Sequence, residues 1–152
     1  MTGVDQPTEG RFDGREHRFA LRVYFEDTDL SGVAYHANYL RWMERARSDM
    51  LRLAGIDQRV VWEAGEGAYA IADLHIRYLA PARLDDALLV TSTVERASPS
   101  RTIIHQTVRC GPRILASAEV TAVLVSPGGR PVRQPAAWLA IYRQLTAEGG
   151  QS

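Results

Sequence analysis

The residues that can do chemistry cluster in one short segment. Asp27, Asp29 and His36 lie between Tyr24 and Tyr39, in a run that also holds Thr28, Ser31 and Gly32. A carboxylate can take a proton or attack a carbonyl, and an imidazole can carry a proton near neutral pH. The segment runs into a helix start, which offers unpaired backbone N–H groups at the positive end of the macrodipole. Such donors suit an oxyanion. Gly32 permits a sharp bend or a close backbone approach to a ligand. Carboxylate, imidazole and oxyanion donor can therefore converge on one point. The same residue types also suit an ordinary loop, with Asp27 and Asp29 as turn or cap residues and His36 as a surface or capping group. On residue pattern alone both readings stand.

The elements that would position this segment are legible on either side of it. Phe19, Leu21, Val23 and Phe25 alternate within 18–25, a strand pattern, and 26–36 has no period and reads as a loop. Residues 37–54 read as the strongest helix, with Tyr39, Trp42, Met43, Ala46, Met50 and Leu53 at helical spacing. Asn38 is its expected N-cap and Gly55 its stop. Four strand-like runs follow. In the first, Ala70, Ala72, Leu74, Ile76 and Tyr78 share one face. The others cover 88–95, 101–110 and 114–125, the first two of these joined by a turn at 97–100. Pro135 opens a short helix carrying Trp138, Ile141, Tyr142 and Leu145. The order is β-loop-α-ββββ-α. It lays an antiparallel sheet of about five strands over one long helix, an α+β domain of two layers. Small residues Ala70, Ala72, Ala116 and Ala118 would let that helix approach closely. We expect flexible tails at 1–16 and 147–152 around a single domain at 17–146.

Composition narrows the function. The formal net charge is zero, so no basic excess speaks for nucleic acid or an anionic membrane surface. All 18 cationic residues are Arg. The lone cysteine, Cys110, has no base tied to it and reads as a structural thiol in a reducing compartment. No run approaches the roughly 18 apolar residues of a membrane span, and a cytoplasmic location is the expectation. Asp73, His75 and Arg77 share a strand face, as do His105 and Arg109, and both sets read as solvent or subunit-contact faces rather than a metal site. There is no G-x-S-x-G elbow, dinucleotide fingerprint or P-loop.

Three runs carry a resemblance: Arg22 to Asp29, Gly32 to Leu40, and Met43-Glu44-Arg45-Ala46-Arg47. Together they closely resemble the 4-hydroxybenzoyl-CoA thioesterase family, nearest to its Tol–Pal-associated YbgC-type acyl-CoA thioesterases. The resemblance implies a hotdog fold, with protomers paired edge to edge as a homodimer or homotetramer and active sites at the dimer interface. It implies hydrolysis of acyl-CoA thioesters with no cofactor, since CoA is part of the substrate. It places the catalytic carboxylate at Asp29, as general base or nucleophile, with His36 as a second catalytic residue. The backbone N–H around His36 would polarise the thioester carbonyl. Tyr35, Asn38 and Gly32 match positions expected to meet substrate. A hotdog hydratase or dehydratase, or a non-catalytic acyl-CoA or acyl-carrier binding module, are the alternative functions. Arg77, Arg96 and Arg101 are candidates for the CoA phosphates by position.

Overall fold

A computed structural model describes residue 3 and residues 5–146 of the chain; the expected tail at 147–152 lies outside the described residues. In chain order the elements are β1 (Arg11–Asp13), β2 (Glu16–Arg22), α1 (Ala37–Ala54), α2 (Gln58–Glu63), β3 (Ala68–Tyr78), β4 (Ala87–Ser98), β5 (Arg101–Cys110), β6 (Arg113–Val125) and α3 (Ala136–Leu145). A short 3-10 turn, Phe25–Asp27, sits between β2 and α1. Among the described residues the sheet has six strands in the order β1-β2-β4-β5-β6-β3, and every neighbouring pair is antiparallel.

The sheet exceeds the expected five strands because β1 lies inside the stretch read as a tail. Three residues are too few to show an alternation, yet Phe12 pairs with His17 and anchors the hairpin. Gly14, with φ of 62°, makes the reversal that brings β1 onto β2.

Helix α1 forms as its spacing dictates. Tyr39, Trp42, Met43, Ala46 and Met50 are buried against the sheet, although Leu53 is partly exposed and Leu51 is buried instead. Gly55 ends the helix in the left-handed region at φ 96°, and the Ile56 N–H closes back onto the Leu51 carbonyl at 2.8 Å. The facing strands supply Val90, Val108, Ala116, Ala118 and Val120, all buried in the same cluster.

In β3 the simple alternation fails. The register shifts between Ile71 and Asp73, so the helix-facing set passes from Tyr69 to Leu74 and Ile76. Ala116 and Ala118 are fully buried as expected, whereas Ala72 stands exposed. A bulge changes the phase of every residue beyond it, and nothing in a run of alanines announces one.

Candidate active site

Between β2 and α1 the chain folds back on itself. Thr28 and Ala34 form an isolated antiparallel bridge, and the Asp29 N–H donates to the Val33 carbonyl at 2.9 Å. Gly32 takes φ 82° at the tip, and a Cβ there would meet nothing within 4 Å. Its requirement is conformational, not steric. The segment is tied to the β3–β4 connection through the Ala34 N–H to the Ala82 carbonyl, 2.8 Å. It is tied to α1 by Asn38, whose Nδ2 donates to the Asp27 carbonyl at 2.7 Å.

The two acids have different duties. The Asp27 carboxylate accepts the Tyr24 backbone N–H at 2.8 Å, and the Asp27 carbonyl accepts the Tyr35 N–H at 2.9 Å. Asp27 is thereby built into the turn. The Asp29 carboxylate is exposed, and its Oδ1 accepts the Ser31 N–H at 2.8 Å and the Ser31 hydroxyl at 2.5 Å. Those two donors, with smaller help from the Val33 and Asp29 backbone N–H groups, hold Asp29 below its ordinary carboxylate pKa, because they favour the charged form.

The helix start lies at the end of this fold-back. His36 occupies the N-cap position with no side-chain cap, so Asn38 is not the cap: it lies inside the first turn, with its amide engaged by Asp27 and by Arg41 at 3.0 Å. Among the described residues, the backbone N–H groups of His36 and Ala37 meet no acceptor. The His36 carbonyl is held by the Tyr78 hydroxyl at 3.2 Å. The His36 ring is exposed between Tyr35, with ring centres 4.5 Å apart, and Tyr78, 6.0 Å away edge-on. No hydrogen bond joins that ring to Asp29 among the described residues. Tyr39, beneath, accepts the Ala82 N–H at 2.8 Å and is pushed above its usual pKa by burial. Phe25 and Leu30 on this segment, and Leu84 next to Arg83, which bridges Val33, are exposed apolar side chains.

Two members of the site escaped the sequence. Tyr78 comes from the far end of β3 and reaches the helix start only through the sheet topology. Ser31 stood in plain view two residues after an Asp, the spacing of a side-chain-to-backbone turn. Of the arginines proposed for phosphates, Arg96 and Arg101 flank the β4–β5 turn, at the end of β4 away from its Ala87 start beside Arg22. Arg77, one residue before Tyr78, remains at the site's end of the sheet. Among the described residues no group of three or more His, Cys, Asp or Glu could hold a metal ion.

A family model described as the thioesterase superfamily matches residues 31–117. An acyl-CoA thioesterase YbgC from Haemophilus influenzae is 35% identical over 128 residues, covering 84% of this chain and 94% of that protein. The crystal structure of a probable thioesterase from Bartonella henselae superposes with a TM-score of 0.76 at 33% identity, over 79% of this chain and 99% of that one. A 1,4-dihydroxy-2-naphthoyl-CoA thioesterase from Synechocystis gives 0.77 at 25% identity, over 84% and 95%. A long helix laid on an antiparallel sheet, with an acid-bearing loop at the helix start, is a hotdog-type α+β thioesterase fold. The chain belongs to the thioesterase superfamily.

Proposed function

We propose that this thioesterase hydrolyses acyl-CoA at the start of α1, with Asp29 as the reacting carboxylate. The observation that carries the reading is an exposed carboxylate with a free Oδ2 on the loop that leads to two unpaired backbone donors, the N–H groups of His36 and Ala37. A thioester releases a thiol that ionises near pH ~8.5, so departure needs little acid assistance. It needs a nucleophile and a stabilised oxyanion. Asp29 either attacks the carbonyl to form a mixed anhydride, expelling thiolate, after which water cleaves the anhydride to the free acid and regenerates the carboxylate, or takes a proton from a water that attacks the carbonyl and expels the thiolate. The His36 N–H receives the oxyanion, a donor of a kind worth about 3 kcal/mol in the transition state. The exposed His36 and Tyr35 rings face the substrate, whereas Asn38 and Gly32 shape the loop.

The named relatives act on acyl-CoA and on 1,4-dihydroxy-2-naphthoyl-CoA, and the CoA thioester is their shared element. This chemistry calls for no resident cofactor. Among the described residues the eleven-residue strand β3 closes one side of the sheet with a single partner, β6, and leaves its other edge unpaired. A second copy joined along that edge, as a homodimer, would cover it. The single cysteine fits a cytoplasmic enzyme.

Thiol release from a panel of straight-chain and aromatic acyl-CoAs tests the reading. We expect turnover, and Asp29→Asn should lower kcat/KM by about 100-fold or more. Asp27→Asn, which keeps an acceptor for Tyr24, should retain most of the rate. An Asp29→Asn enzyme with near wild-type activity overturns the assignment.

A further inference from the structure

We infer that Ser31 is a positioning residue that holds Oδ1 of Asp29 and thereby commits Oδ2 to the reaction. The inference rests on the reading of Asp29 as the reacting carboxylate. A free aspartate side chain rotates, and its two oxygens are equivalent. Here they are not: Oδ1 accepts both the N–H and the hydroxyl of Ser31, at 2.8 Å and 2.5 Å, while Oδ2 has no bond of that geometry among the described residues. The Ser31 backbone is itself fixed, because the reversal at Gly32 is locked by the Gly32 N–H to the Asp29 carbonyl, 3.1 Å, and the Asp29 N–H to the Val33 carbonyl, 2.9 Å. One hydroxyl thus converts a mobile exposed acid into an oriented one. Orientation of this sort is worth large factors in rate when the reacting atoms must meet at near-contact distance.

The division of labour has a chemical consequence. If Oδ2 attacks the thioester carbon, Oδ1 becomes the carbonyl oxygen of the aspartyl anhydride, and the same two donors still hold it. If Oδ2 instead takes a proton from water, the charge passes to the tetrahedral oxyanion, and the two donors hold Oδ1 as the carbonyl oxygen of the neutral acid. In either course Ser31 touches neither acyl group nor CoA. Its removal should act on kcat and on the pH at which Asp29 ionises, and leave KM nearly unchanged.

The test compares wild type, Ser31→Ala, Ser31→Thr and Asp29→Asn in two measurements. The first is the pH titration of the Asp29 side-chain carboxyl carbon by NMR, with no substrate present. The second is the pH profile of kcat/KM with benzoyl-CoA and butyryl-CoA. In Ser31→Ala the Asp29 midpoint should move to higher pH, the acid limb of the rate profile should move with it, and kcat should fall about three- to tenfold. Ser31→Thr, which keeps the hydroxyl, should restore both. An Asp29 midpoint that does not move in Ser31→Ala overturns the hold of Ser31 on the acid. A midpoint that moves while the rate profile stays fixed overturns its role in the reaction. If Asp29→Asn also remains active in that case, the underlying reading of Asp29 has failed, whereas an inactive Asp29→Asn leaves that reading intact and removes Ser31 alone.

Discussion

Tyr78 shows how a single distant residue can govern the donor side of the site. Its hydroxyl is bound to the His36 carbonyl, and its ring packs edge-on against both His36 and Tyr39. The His36 carbonyl and the Ala37 N–H belong to one peptide plane, so the hydroxyl helps set where that N–H points. Tyr78→Phe keeps the ring packing and loses only the bond. We expect kcat to fall about three- to tenfold with little change in KM or in thermal midpoint, a split that steady-state kinetics and a melting curve would resolve. Much of this site was readable at the level of residue types. Asp29, His36, Tyr35 and Gly32 stand in the reversal that leads into α1. The differing duties of the two acids were not readable, because an Asp-Thr-Asp triplet does not state which carboxylate faces inward onto a backbone N–H. The orientation of Asn38 was hidden for the same reason.

At the level of elements, the least legible feature is the clamp that fastens β1 and β2 to α1. His17 is fully buried, and its Nε2 donates to Asp49 Oδ2 at 2.7 Å, while Nδ1 lies buried without a partner among the described residues. Asp49 Oδ2 also accepts the Gly10 N–H at 2.9 Å, and Oδ1 takes Arg52 at 3.2 Å. Phe12 meets the His17 ring edge-on and Phe19 stacks on it. From sequence His17 is a polar residue beside a polar tail. Only the pairing of β2 with β4, and the fall of Asp49 on the buried side of α1, bring the two together. Burial outweighs the Asp49 carboxylate and depresses the His17 pKa. The unfolded chain therefore takes up a proton near pH ~6.5, and the native chain does so only at lower pH. Stability is complete above that range and falls as the pH drops through it. Urea midpoints at pH 7.5 and 5.5 should differ in wild type and converge in His17→Phe. Equal wild-type midpoints would count against the clamp as a pH-sensitive element. The helix α1 and the strands β4 to β6, by contrast, were legible, since long periodic runs survive most tertiary adjustments. The phase change in β3 was not, because a bulge costs one residue and leaves the composition unaltered.

For the molecule as a whole, the open edge of β3 and the half-exposed Ile71 and Tyr78 along that strand set the expected assembly. Light scattering should give about twice the chain mass of 16.9 kDa. Ile71→Glu should shift the population towards the single chain, with thioesterase activity falling in parallel if the partner completes the site. A wild-type mass of one chain would refute pairing along β3. The loop at the start of α1 has a different consequence. Its anchors combine main-chain bonds of Asp27, Asp29, Val33 and Ala34 with side-chain bonds of Asp27, Asp29, Ser31 and Asn38, whereas the Leu30 side chain at its crest stands wholly in solvent. Mutation can therefore explore Leu30 without disturbing the carboxylate. The loop thus separates two tasks: hydrogen bonds within the reversal hold the carboxylate, and the crest side chain takes no part in holding it.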